Sequence, residues 1–141
     1  MAIRKAEAEW KGGLHDGTGS ISVGSGAFSG PYSLKSRVED TPATNPEELI
    51  GAAHAGCYSM QLGAFLEGAG HTATRIHTKA LVHFGPVGDG FAITAIDLTT
   101  EAEVPGLDEA GFLEFAEKAK AQCPVSKALA ATPITLKATL L

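Results

Sequence analysis

The chain has 141 residues, of which 44% are hydrophobic and 19% charged, and its formal net charge is −5. This length predicts one domain with one core, and the intermixed acidic and basic residues leave no basic stripe for a nucleic-acid backbone. No run of residues reaches the roughly 18 apolar positions of a membrane span, and the polar start of the chain has no signal-peptide pattern, so we expect a cytoplasmic protein without a membrane or nucleic-acid partner.

The first part of the chain contains short β-favouring runs separated by glycine-rich turn residues. We predict strands over residues 3–11, 20–23 and 32–38, which together would form a three-stranded meander. Arg37 would then lie at the end of the third strand. An exposed side chain is the simplest interpretation of a charge at such a position.

A helix is predicted from residue 46 to about residue 68. Asn45 is placed to act as N-cap, Pro46 occupies the first helical position, and Glu48 is spaced to close a capping box. Nearly every face of this segment carries apolar or small residues, which is typical of a helix buried all round. We expect it to be the central helix of the fold.

The rest of the chain alternates between strand and helix patterns. We predict strands over residues 75–84, 96–104 and 134–140, a turn over residues 85–88, and helices over residues 108–122 and 124–131. The resulting order βββαββααβ indicates an α+β fold, a single domain over residues 1–141 with two antiparallel-rich sheets around central buried helices. Because each sheet must cover a face of the apolar helix, an intertwined homodimer is also expected.

The chain has two cysteines, and the residues alone allow two interpretations of them. Burial statistics favour Cys57, in the middle of an apolar helix, as a small packing residue. Cys123 precedes Pro124 at the start of a short helix, where unpaired backbone amides favour the reactive thiolate. A reducing compartment would keep both as thiols at rest, so they are also candidates for a transient disulfide formed through a sulfenic acid.

Three other side chains are candidates for supporting such chemistry. A buried thiolate needs a positive partner, which Arg37 would provide. Glu47 could hold that arginine in place. An acidic residue in the first turn of a helix is, however, also explained by the helix dipole. His54 lies three residues before Cys57, a spacing that can serve a metal ion. With no second such pair, a packed and hydrogen-bonded core histidine is the preferred interpretation, and no nucleotide-binding or hydrolase motif occurs.

Two segments carry a specific family likeness. Residues 45–60, NPEELIGAAHAGCYSM, and residues 123–126, CPVS, closely resemble the OsmC/Ohr family of organic hydroperoxide reductases, and in particular its OsmC branch. The resemblance extends over the whole chain. It implies an intertwined homodimer with active sites at the subunit interface, which reduces organic hydroperoxides in preference to hydrogen peroxide in oxidative stress defence.

The same resemblance assigns roles to four residues. It implies that Cys57 is the peroxidatic cysteine, Cys123 the resolving cysteine, and Arg37 and Glu47 the remaining catalytic residues. The Ohr branch has its arginine earlier, where this chain offers residues such as 16–18, DGT, which favours the OsmC branch. No prosthetic group is implied. An external thiol reductant would restore the cysteines, and in the Ohr branch that dithiol is carried by lipoylated proteins.

Two other classes of function remain open at this point. The chain could be a non-catalytic binding module for a hydrophobic small molecule, with buried and inert cysteines. It could also be a redox-sensing interaction protein, in which a disulfide switches a surface without sustained turnover.

Overall fold

A computed structural model describes every residue from Met1 to Leu141. The chain forms two compact units, Met1–Leu49 and Ile50–Leu141. Together they contain two three-stranded sheets and four helices, so the predicted α+β class is confirmed. The expectation of a single domain stays a prediction.

The first unit is an antiparallel meander followed by a short helix. It contains β1 (Ala6–Lys11), β2 (Thr18–Val23), β3 (Ser29–Tyr32), α1 (Leu34–Val38) and the start of α2 (Pro46–Gly68). Gly19, on the middle strand, pairs with both Trp10 and Tyr32, whose ring centroids lie 5.4 Å apart. A side chain at Gly19 would collide with both rings, so glycine is what allows this aromatic contact.

The third strand was predicted wrongly. β3 ends at Tyr32, and most of residues 32–38 form helix α1, so Arg37 is helical. The reason is a reciprocal cap: the Ser33 hydroxyl accepts from the Ser36 amide, and the Ser36 hydroxyl accepts from the Ser33 amide. This local capping outweighs the β preference of the flanking residues.

The start of α2 agrees with its prediction except for one side chain. Asn45 Oδ1 accepts a hydrogen bond from the Glu48 amide at 2.8 Å, as an N-cap should. The Glu48 carboxylate does not close a capping box but accepts from the Thr44 hydroxyl at 2.7 Å. The helix ends at Gly68, as predicted.

The second unit packs helices against a mixed sheet. After α2 come β4 (Arg75–Val87), β5 (Gly90–Glu103), α3 (Glu109–Gln122), α4 (Pro124–Ala128) and β6 (Ile134–Leu140). β4 and β5 pair antiparallel and β6 lies parallel to β5, in the order β4-β5-β6. The parallel pairing requires the crossover that α3 and α4 provide.

The turn of the β4–β5 hairpin lies later than predicted. It occupies residues 88–89, because the strands continue to the Val87–Gly90 pair. Gly88 has φ 59°, which suits the first position of a tight hairpin turn. Pro86 does not end β4, because β4 is an edge strand and the missing amide of proline interrupts no inner ladder.

The core of the second unit lies between α2, α3 and the mixed sheet. Its fully buried members share apolar character and include Tyr58, Leu62, Leu66, Ile96, Leu98, Phe112 and Cys123. The opposite face of α2 carries exposed small residues, and Met60 there is 79% exposed. In the single chain α2 is therefore buried along one face rather than all round. No helix is both long and apolar enough to cross a membrane.

Candidate active site

The two cysteines lie next to each other although 66 positions separate them in the chain. Cys57 is in the middle of α2 and half-buried, and Cys123 is fully buried. Their Sγ atoms are 3.0 Å apart and share a hydrogen bond, and both thiols are free. A disulfide requires about 2.05 Å, so closing it needs a movement of only about 1 Å.

The break between α3 and α4 places Cys123 in this position. Pro124 disfavours helical geometry in the residue before it, and Cys123 has φ −55° and ψ 124°, outside the helical region. Cys123 thus ends α3, where its amide donates to the Ala119 carbonyl at 2.9 Å, and also begins α4. The predicted start of a short helix at Cys123 and Pro124 is confirmed.

The surroundings of Cys57 disfavour its thiolate. Burial is the largest cause that raises the pKa of the Cys57 thiol, and the hydrogen bond with Cys123 raises it further. The backbone amide of Val125, which donates to the Cys57 sulfur, lowers the pKa without reversing the overall shift. No cationic side chain is among the causes of this shift, and a reactive thiolate is usually stabilised by one.

Arg37 and Glu47 form a second pair, within the first unit. Arg37 Nε and Nη2 both donate to Glu47 Oε1, at 2.9 and 2.7 Å. The Glu47 side chain is only 8% exposed, whereas that of Arg37 is 41% exposed. The other carboxylate oxygen, Oε2, is buried without a hydrogen-bond partner. A buried carboxylate thus holds two nitrogens of the Arg37 guanidinium group.

Arg37 also lines an open cleft of about 260 Å³ in the first unit. The other side chains that line it are mainly aromatic or aliphatic, namely Trp10, Leu14, Tyr32, Leu34 and Pro46. A small molecule with an apolar tail and a polar end beside the guanidinium would suit this cleft.

His54 and Ser126 form a buried polar contact that the sequence did not predict as a pair. His54 Nε2 lies 2.7 Å from Ser126 Oγ, and burial lowers the pKa of the imidazole. The interpretation of His54 as a packed, hydrogen-bonded core residue is confirmed. Ser126 was not among the predicted site residues. Ser126 lies three residues after Cys123, just as His54 lies three residues before Cys57, and this matching spacing is the signal that could have indicated it.

The structure thus brings the predicted site residues together as two pairs, Cys57 with Cys123 and Arg37 with Glu47. No group of three or more His, Cys, Asp or Glu side chains is arranged to hold a metal ion.

Comparison with known proteins places these residues in a family. Residues 38–138 match the family described as OsmC-like protein. The chain is 48% identical to Peroxiredoxin OsmC of Escherichia coli (strain K12) over 129 residues, which are 91% of this chain and 90% of that protein.

Solved structures of more distant sequence share the fold. An organic hydroperoxide resistance protein OsmC from Legionella pneumophila has a TM-score of 0.71 at 20% identity, over 99% of this chain and 98% of that one. The organic hydroperoxide resistance protein OhrB of Bacillus subtilis has a TM-score of 0.68 at 22% identity, over 97% and 98%. The family match and the close relative confirm the resemblance, and the chain belongs to the OsmC family.

Proposed function

We propose that this OsmC-family peroxidase reduces organic hydroperoxides to alcohols through a Cys57 sulfenic acid and a Cys57–Cys123 disulfide. The observation that carries the proposal is the 3.0 Å separation of the Sγ atoms of the two cysteines. A peroxidatic and a resolving thiol must come into contact to form a disulfide, whereas two cysteines that only pack in the core need not lie side by side.

The cycle has three balanced steps. The Cys57 thiolate attacks a peroxide oxygen, so that a sulfur–oxygen bond forms, the oxygen–oxygen bond breaks and the alcohol leaves with a proton. The Cys123 thiol then displaces the hydroxyl of the sulfenic acid as water and forms the disulfide. An external dithiol is oxidised in turn and restores both thiols by exchange. A dithiol carried by a lipoylated protein would suit this last step, and no prosthetic group is needed.

Arg37 is proposed to stabilise the Cys57 thiolate and the charge that develops on the peroxide. Burial raises the pKa of Cys57, so a nearby cation is needed to make the thiolate available. Arg37 suits this role because Glu47 Oε1 holds two of its nitrogens while the guanidinium stays partly exposed. Glu47 would then act through Arg37 by orienting it.

An alkyl or fatty-acid hydroperoxide is the proposed substrate class. The cleft beside Arg37 is lined mainly by apolar side chains, which would bind a hydrocarbon substituent, whereas hydrogen peroxide has none. The Legionella and Bacillus relatives are described as organic hydroperoxide resistance proteins, which supports the same class and a role in oxidative stress defence.

A homodimer, intertwined as in the expected OsmC-type assembly, is proposed as the working form. The exposed face of α2 is apolar, with small side chains around Met60, and a second copy would remove it from water. We also propose that the enzyme works in the cytoplasm, where a reducing environment would return both cysteines to thiols.

Peroxide consumption with dithiothreitol as reductant tests the proposal. We expect the wild type to consume cumene hydroperoxide faster than hydrogen peroxide, and Cys57→Ser to show no turnover. Cys123→Ser should react once and then accumulate sulfinic acid at Cys57, visible by mass spectrometry. Full turnover by Cys57→Ser would overturn the assignment. Thiols that react with a labelling reagent only after unfolding would instead favour a binding module with inert cysteines.

A further inference from the structure

The hydrogen bond between His54 and Ser126 joins α2 to α4 beside the cysteine pair. His54 lies one helical turn before Cys57 on α2, and Ser126 lies one turn after Cys123 in α4. Both are buried, with 0% and 6% of their surface exposed. The contact therefore links the two segments that carry the reacting sulfurs.

We propose that His54 and Ser126 are positioning residues for disulfide closure, because their hydrogen bond holds α4 against α2 with the Cys123 thiol facing Cys57. This inference rests on the proposed function and concerns its second step. In that step the Cys123 sulfur bonds to the Cys57 sulfur and the sulfenic hydroxyl leaves as water.

The segment around Cys123 needs such a restraint. α4 has only five residues and no side-chain hydrogen bond at its N-cap, and so short a helix has little stability of its own. Its backbone is tied at the junction by the Lys127 amide, which donates to the Cys123 carbonyl at 3.0 Å. That bond lies within α4 and does not set where α4 sits on α2. Two hydrogen bonds do join α4 to α2: the Val125 amide donates to the Cys57 sulfur, and His54 Nε2 lies 2.7 Å from Ser126 Oγ.

The polarity of His54 supports a role beyond packing. Its Nδ1 atom is buried without a hydrogen-bond partner, a cost that an apolar side chain would not carry. The imidazole makes one hydrogen bond in the core, between Nε2 and Ser126 Oγ, and the tautomer of the ring decides which of the two donates. A leucine would fill the space but would leave the Ser126 hydroxyl unpaired and α4 without this link to α2.

Single-turnover kinetics on the reduced protein test the inference. Mixing with one equivalent of cumene hydroperoxide allows two rates to be followed by quenching and mass spectrometry: formation of the Cys57 sulfenic acid, trapped with dimedone, and formation of the disulfide. For Ser126→Ala we expect disulfide formation to slow about tenfold, as loss of one buried hydrogen bond would produce, with sulfenic acid formation changed by less than about threefold.

Ser59→Ala is the matched control. Ser59 is also on α2, and its hydroxyl donates to Thr78 Oγ1 at 2.7 Å, so the variant loses a bond of equal length that faces β4. Its rate of disulfide formation should equal that of the wild type. A similar slowing in Ser59→Ala and Ser126→Ala would overturn the inference, because it would indicate a general loss of stability.

Variants at His54 separate positioning from proton transfer. Glutamine can place an amide nitrogen near the Nε2 position but cannot act as a base, so His54→Gln should close the disulfide within about threefold of the wild-type rate. His54→Leu should be slow, like Ser126→Ala. A His54→Gln variant as slow as His54→Leu would overturn the positioning role, and this pair remains informative if Ser126→Ala does not fold.

The outcomes also distinguish this inference from the proposed function. If the wild type forms neither sulfenic acid nor disulfide, the proposed function fails. If the wild type forms the disulfide and Ser126→Ala does so at the same rate, only the positioning role fails.

Discussion

The cysteine pair and the ion pair differ in their surroundings. Cys57 and Cys123 lie in the second unit among apolar side chains, where burial raises the pKa of the Cys57 thiol. Arg37 and Glu47 lie in the first unit, where a buried carboxylate holds a cation that is still 41% exposed. The first unit supplies the arginine, and the second unit supplies the two thiols. The proposed function uses both pairs, because a thiol of raised pKa needs a cation to stabilise its thiolate.

Of the variants that compare the two pairs, one that removes the charge of Arg37 should change the rate of Cys57 oxidation most. For Arg37→Met we expect the rate of Cys57 oxidation to fall about a hundredfold, because the thiolate and the peroxide lose their electrostatic partner. The pKa of Cys57 should rise above its already raised value. The pH dependence of alkylation by iodoacetamide measures this shift.

Arg75→Met is the matched control for that variant. Arg75 also donates two hydrogen bonds to one glutamate oxygen, Glu101 Oε1, both at 3.1 Å, but on the exposed surface of β4 and β5. Exposed ion pairs of this kind contribute little to stability. If the pH dependence of Cys57 alkylation is unchanged in both variants, Arg37 does not affect the Cys57 thiol and its proposed role is contradicted.

Neutralising Glu47 should have a smaller effect, because it acts through Arg37. In Glu47→Gln we expect Cys57 oxidation to slow about tenfold, since the guanidinium keeps its charge but is held by a neutral acceptor. Glu101→Gln provides the control on the exposed pair. Stopped-flow oxidation rates check this, and a Glu47→Gln effect as large as that of Arg37→Met would indicate that Glu47 does more than orient the arginine.

The smallest expected effect is a dependence of the free energy of unfolding on pH, caused by His54 beside the cysteine pair. Burial lowers the folded-state pKa of His54 below its ordinary value of 6.5, so below that pH the unfolded chain takes up a proton that the native protein does not. Above pH 6.5, His54 therefore does not lower the free energy of unfolding. As the pH falls from 6.5 towards the folded-state pKa of His54, the free energy of unfolding decreases by at most about 1.4 kcal/mol per pH unit.

Urea unfolding at about pH 7.5 and about pH 5.5 measures this effect. The wild type should lose more free energy of unfolding between the two conditions than His54→Gln, which has no imidazole to protonate. Equal losses in both proteins would mean that His54 is protonated as readily in the native state as in the unfolded chain.

Several local features were predictable because their causes lie within a few residues. Asn45 and Pro46 start α2, Asp108 caps α3 by accepting from the Gly111 amide at 2.8 Å, and Pro124 breaks the chain at Cys123. Caps and prolines act on the backbone beside them, so a sequence displays them directly. The prediction of the third strand was wrong although its cause is also local, because the reciprocal cap between Ser33 and Ser36 starts a helix there.

The family likeness was also present in the sequence, in residues 45–60 and 123–126, and it implied the roles that are proposed for the two cysteines. By itself, however, the pattern around Cys57 favoured a packing residue. Only the tertiary structure decided that its sulfur lies 3.0 Å from that of Cys123, and that His54 meets Ser126 from 72 positions away. The physical reason is that local signals determine where helices begin and end, whereas the distance between two helices depends on how their side chains pack against a shared core.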